Sequence, residues 1–299
     1  MQIGRARATA IGFGAVLLWA LLALLTTGSA PTPPLLLNAL CFGIGGTLGL
    51  AWAWATGGLG RLKHVGWRVY AFGTAGLFTY HFLYFSALRL APVAEASLIA
   101  YLWPLLIVLG SGLLPGEQLR LGHVLGAALA FGGAGMIVLG RGEAGPSGFD
   151  LAALPGFGLA GLCALTWSSY SIFSRRLGAV PTESVAVFCV LSAILSALAH
   201  LALEQTLWPA SPTAWASAIL LGIGPVGLAF YLWDIGVKRG DIQLLGVASY
   251  AAPLLSTVAL ILAGIAPLSI TLIVAAGLIT AGAAIAARAS AVARDGRAA

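Results

Sequence analysis

Charge is what this sequence most lacks. Asp, Glu, Lys and Arg together make up 8% of its 299 residues, where a water-soluble chain carries about a quarter. That is too little to coat a surface facing water. Long polar stretches are missing as well, which excludes a soluble catalytic or nucleic-acid-binding domain beside the apolar body. Cysteine is scarce: Cys41, Cys163 and Cys189 all fall in apolar runs with no CxxC spacing. They read as small buried hydrophobes. The sequence shows no cluster of metal-ligand type and calls for no metal and no cofactor.

What it has instead is apolar length. Hydrophobic residues make up 60% of the chain, and the mean hydropathy is +1.00. Apolar runs bounded by Gly, Pro or charge fall at 8–27, 35–56, 68–88, 93–114, 121–140, 154–174, 183–203, 213–236, 243–264 and 267–288. Each is close to the roughly 20 residues that a helix needs to cross a bilayer. The expected fold is therefore an all-α integral membrane protein of ten transmembrane helices, with lipid as its main solvent. The first run also has the look of a signal peptide, with Arg5 and Arg7 before it and Gly28-Ser29-Ala30 after it. The internal repeat described next requires it as a helix.

Basic residues set the expected direction. If the N-terminus is cytoplasmic, ten spans return the C-terminus to the same side, and 13 of the 15 Lys and Arg residues fall inside. Only Arg89 and Arg141 fall outside, as the positive-inside rule favours. The net charge of +6 thus reports orientation in a plasma (inner) membrane and not an acidic partner. Lipid and a small-molecule substrate are the partners the sequence implies. No partner chain is required, and a monomer is plausible.

The two halves resemble each other at an offset of 148 or 149 residues. Trp19 pairs with Trp167, Cys41 with Cys189, Trp67 with Trp215, Ala87-Leu88-Arg89 with Gly236-Val237-Lys238, and Pro104 with Pro253. Five spans is an odd number, so the second unit must cross in the opposite sense. The expected units are 1–145 and 146–299, an inverted pair. Inverted repeats with helices broken near the midplane are the signature of secondary transporters.

On those residues the chain resembles paired EamA domains of the drug/metabolite transporter superfamily. Each unit has a Trp-centred first helix and a Pro in the middle of its fourth. Within that superfamily, Tyr80-His81-Phe82-Leu83-Tyr84 followed by Tyr101-Leu102-Trp103-Pro104 looks closest to the YddG-type aromatic amino acid exporters. The resemblance implies a central cavity between the halves and export of amino acids from the cytoplasm.

Depth in the membrane picks out the candidate residues. Trp52, Trp54, Trp67, Trp208, Trp215 and Trp233 fall near span ends and fit the interfacial aromatic belt. Trp19, Tyr80, Tyr101, Trp103, Trp167, Tyr170 and Tyr250 fall near span centres, where an N–H or O–H needs a partner. Any one of these reads as packing between helices; the set is expected to line a cavity. The expected substrate site is Tyr80, Tyr84, Tyr101, Trp103, Trp167 and Ser249, with His81, Trp19 and Tyr250 beside them. His81, deep in span three, reads either as a substrate partner or as a neutral side chain bonded to a neighbouring carbonyl. Pro104, Pro225 and Pro253 each remove a helical hydrogen bond. They read either as kinks or as openings that expose the carbonyls of Ala100, Leu221 and Ser249 to a ligand.

The acids are placed near span ends: Glu95, Glu117, Glu183, Glu204, Asp234 and Asp241 are all expected in water or headgroups, with Asp234 in reach of Lys238 at i,i+4. A net-neutral zwitterion does no work against the membrane potential, while a net charge exchanges about 2.3 kcal/mol per 100 mV. Amino acid export therefore needs no embedded acid. The alternative is a proton-coupled multidrug or metabolite exporter of the same superfamily, but spans one and six present Trp19 and Trp167 in place of an acid. An intramembrane protease using Ser111 of Gly110-Ser111-Gly112 with His81 fails on depth. No enzymatic activity is expected.

Overall fold

In the computed structural model, residues 4–140, 151–264 and 268–298 are described, and among them regular structure is entirely helical. The N-terminal half runs through α1 (Arg5–Trp19), α2 (Leu22–Gly28), α3 (Pro34–Ala55), α4 (Leu59–Leu62), α5 (Trp67–Leu90), α6 (Val93–Ala100), α7 (Trp103–Ser111) and α8 (Leu121–Gly140). The C-terminal half runs through α9 (Leu154–Arg176), α10 (Ser184–Leu203), α11 (Pro212–Ile223), α12 (Ala229–Arg239), α13 (Ile242–Ala248), α14 (Ala251–Leu262) and α15 (Ile270–Ala298). Eight helical stretches are long and apolar enough to cross a membrane, and Glu95–Ser111 forms a shorter apolar one. The remaining expected span, α5, has 24 residues. Its tyrosines, His81 and terminal arginines make it less apolar than the others.

Four expected spans are interrupted, and proline explains three. Proline is tolerated in the first turn of a helix, where its missing N–H has no partner to lose. The breaks accordingly fall just before Pro104 and Pro253, at the α6–α7 and α13–α14 junctions, so each proline opens a new half-helix. At Pro225 the chain instead widens into a π-helical turn over Gly224–Leu228 between α11 and α12. Span one breaks between α1 and α2 at Ala20–Leu21 without a proline. No sequence signal marked it.

The halves meet in a mirrored set of helix pairs. The heaviest packing is α8 on α15, α3 on α10, α5 on α9 and α1 on α12. Exchanging each helix for its repeat partner returns the same pairs. Small residues permit the close approach. A Cβ at Gly45 would sit 2.7 Å from Gly227 Cα, and one at Gly126 would sit 2.5 Å from Gly282 O. The Gly45/Gly49 and Gly122/Gly126 pairs thus serve helix contact.

Candidate functional site

A cavity of about 1130 Å³ lies between the halves. Trp19, Tyr80, His81, Tyr84, Tyr101, Trp103 and Trp167 all line it, with Pro225 and Pro253. Its walls run from buried rings at mid-bundle to exposed residues such as Leu22, Val93 and Leu139. It therefore reaches the surface at the end opposite Arg5.

Three indoles of the lining build the floor, and a fourth, Trp233, packs behind them. Trp19 (α1), Trp103 (α7), Trp167 (α9) and Trp233 (α12) touch in every pairing, with ring centroids 5.2–6.3 Å apart. This corrects the placement of Trp233 in the interfacial belt. It is 1% exposed, and its Nε1 donates to Ser171 Oγ at 3.0 Å. The helical period brought it inward, because Phe230, one turn earlier, faces the same cluster. Trp19 Nε1 donates to Pro225 O at 3.1 Å. Among the described residues, the indole N–H groups of Trp103 and Trp167 have no hydrogen-bond partner, and both rings line the cavity. They are donors free for a ligand.

The upper wall is a ladder on α5. Tyr80 and Tyr84 lie parallel at 6.3 Å, and Tyr84 Oη meets Ser97 Oγ at 3.3 Å. His81 Nδ1 lies 2.7 Å from Leu77 O. A carbonyl can only accept, so Nδ1 carries the proton and Nε2 is left as an acceptor. His81 also packs edge-on to Phe42. The bond to Leu77 O matches the neighbouring-carbonyl reading of this residue.

Ser249, Tyr250 and Pro104 lie outside the cavity lining. Ser249 is fully buried, and its Oγ donates back to Leu245 O at 2.7 Å. Tyr250 is fully buried too, and its hydroxyl accepts the Leu105 N–H at 3.0 Å. It satisfies one of the orphan amides at the start of α7. Both are mid-depth polar groups, as expected, but their partners belong to the protein. The Ser249 carbonyl accepts from Ala252 N at 3.1 Å, and the carbonyl that Trp19 takes is that of Pro225 itself, not that of Leu221. Depth alone could not show which face of a helix a residue occupies. Sequence reasoning also missed Asn38, Glu95 and Ser256, which line the cavity. Asn38 Nδ2 donates across the halves to Ser196 Oγ at 2.9 Å.

The arginine-rich end of the bundle is closed by charge. Glu117, 3% exposed, holds both Arg5, at 3.0 Å, and Arg175. Arg5 also lies 3.4 Å from Asp241, whose carboxylate caps α13 at the Leu244 N–H. Arg175 adds bonds to the carbonyls of Val237 and Gly240 at 2.9 and 2.8 Å. Lys238 pairs with Asp234 at 2.8 Å, the expected i,i+4 contact, and Thr182 donates to the same carboxylate. Glu183 holds Arg61, and at the opposite end Glu204 holds Arg89 and His200 while capping α3. The expectation that these acids sit solvated at span ends is overturned: five are buried and paired. Burial without a partner would be too costly. Ser111 Oγ donates to Val108 O, so it makes no nucleophile–base pair with His81.

The EamA-like transporter family profile matches residues 7–139 and again 154–288. The chain belongs to the EamA-like transporter family. It is 54% identical over 285 residues to the aromatic amino acid exporter YddG of Ancylobacter novellus, covering 95% of this chain and 98% of that one. To the aromatic amino acid exporter YddG of Salmonella typhimurium it is 25% identical over 272 residues, covering 88% and 90%. A solved crystal structure, 52% identical, superposes at a TM-score of 0.90 over 97% of this chain and 100% of the other. This EamA transporter has a cavity open at one end and a network of paired charges, centred on Glu117, at the other.

Proposed function

We propose that this EamA transporter exports aromatic and other apolar amino acids from the cytoplasm through the midplane cavity. Its ten spans would form two inverted five-helix units, 1–145 and 146–299, with both termini cytoplasmic. The eight long apolar stretches, with α5 and the broken α6–α7 pair, would make up the ten crossings. The mirrored helix pairs support the inverted relation. The positive-inside rule makes the arginine-rich end cytoplasmic, so the cavity faces outward.

The observation that carries the reading is the indole floor with its two uncommitted N–H donors. Rings at 5–6 Å separations offer an aromatic side chain the edge-to-face contacts that such rings prefer. The free indole donors suit a carboxylate, and among the described residues the cavity lining contains neither Lys nor Arg. Both YddG relatives carry the name of aromatic amino acid exporters, which supports the same substrate class. The alternative, proton-coupled multidrug export, wants an acid at the floor, where this chain places Trp19 and Trp167.

The test is efflux from proteoliposomes loaded with labelled phenylalanine, tryptophan, lysine or glutamate. Phenylalanine and tryptophan should leave down their gradients without a pH or sodium gradient, well ahead of lysine and glutamate. No protein-dependent efflux, or efflux that requires a pH gradient, would overturn the proposal.

A further inference from the structure

Among the described residues the cavity lining contains one carboxylate, and it is uncommitted. Six acidic residues have described side chains: Glu95, Glu117, Glu183, Glu204, Asp234 and Asp241. Five of these are held by basic partners. Glu95, in the first turn of α6, has no ion pair or hydrogen bond among the described residues, and it lines the cavity near the mouth. Arg89, the basic side chain described at that end, is taken by Glu204. A second acceptor at the same end of the cavity lining is also idle, since Thr32 Oγ1, in the α2–α3 connection, has no partner among the described residues. A chain that pairs every other described carboxylate leaves one in the cavity lining, with an unpartnered hydroxyl at the same end and no Lys or Arg among the described lining residues to neutralise it.

We infer that Glu95, with Thr32, forms a cation subsite at the mouth of the cavity that takes the ammonium group of the ligand and sets the transporter's charge selectivity. The inference rests on the reading of the cavity as a substrate path. It adds that ligands bearing a primary ammonium are favoured whether or not they carry a carboxylate, and that aromatic acids lacking the amine are excluded. The division of labour follows from donors and acceptors. The floor offers N–H groups and rings, while the mouth offers oxygen acceptors and a negative charge. A part-exposed carboxylate attracts a cation modestly and is screened by salt. Its effect belongs to affinity and selectivity, not to an on–off switch.

The probes are phenylalanine, phenethylamine and 3-phenylpropionate, three ligands with one ring that differ in charge. Binding to the purified full-length protein would be measured by tryptophan fluorescence, and efflux from proteoliposomes. Glu95→Gln should weaken phenethylamine and phenylalanine roughly two- to fivefold, the scale of a part-exposed ion pair. It should also improve phenylpropionate and abolish the salt dependence of amine binding. Glu95→Asp keeps the charge and should retain that salt dependence. Thr32→Val should weaken the amine ligands and leave phenylpropionate unchanged. If Glu95→Gln, folded and monodisperse, treats all three ligands as wild type does, the subsite is refuted. Failure of the wild-type protein to move phenylalanine, with phenethylamine binding still weakened in Glu95→Gln, would refute the amino acid reading and keep the subsite.

Discussion

At the arginine-rich end, Glu117, Asp234 and Asp241 are buried and held by Arg5, Arg175 and Lys238 from several different spans. At the opposite end, the Arg89–Glu204 ion pair, with His200 bonded to the same carboxylate, stands off the cavity, and the cavity itself is lined by rings and by Glu95. The difference is one of function. Fully paired charges in a low-dielectric site hold an end in a single arrangement, because losing either partner strands the other. Rings and an uncommitted carboxylate hold nothing in place and remain available to a ligand. A transporter needs one end of each kind at any moment.

The largest effect is expected where the lock is cut. Arg175→Met leaves Glu117 to Arg5 alone and strands the Val237 and Gly240 carbonyls, and should cost about 3–5 kcal/mol. Its exposed neighbour in the chain, Arg176→Met, should cost less than about 1 kcal/mol. Thermal unfolding in detergent compares them, and equal melting temperatures would erase the distinction between the ends. Next comes Tyr250→Phe, which leaves the Leu105 N–H unpaired in the interior. That predicts a loss of about 1–3 kcal/mol, with efflux per folded molecule unchanged.

Legibility in the sequence followed the same division. Hydropathy and the 148-residue offset gave the helical fold, the repeat and the depth of the ring residues, because each is a property of position along one helix. Trp19, Tyr80 and Trp167 met in one cavity for that reason. Ser249 and Tyr250 have the same depth, but each found a protein partner, which depends on what lies across the helix interface. Asp241 and Glu117 looked like solvated ends because their partner Arg5 lies more than a hundred residues away in the chain. Trp233 looked interfacial because the break at Pro225, with its π-turn, makes counting turns along that span unreliable.

At the open end the effects should be smaller and confined to transport. Trp103→Phe and Trp167→Phe keep a ring and remove a free N–H, so each should slow phenylalanine efflux several-fold, on the scale of one hydrogen bond worth about 1 kcal/mol. Trp52→Phe, at the lipid-facing surface and 43% exposed, should leave efflux unchanged. Smallest of all is Ser249→Ala, expected to shift stability by less than about 1 kcal/mol and efflux not at all. Measuring efflux and melting temperature on each variant separates ligand contacts from packing contacts.

The most direct measurement is the sidedness of the cavity. In a background where Cys41, Cys163 and Cys189 are replaced by Ala, Ser97→Cys places one thiol on the cavity wall beside Tyr84. A small membrane-impermeant thiol reagent should modify it from the external face of oriented vesicles and much more slowly from the cytoplasmic face. Saturating phenylalanine should slow the external reaction. Faster labelling from the cytoplasmic face, or labelling indifferent to phenylalanine, would contradict an outward-open cavity that binds aromatic amino acids.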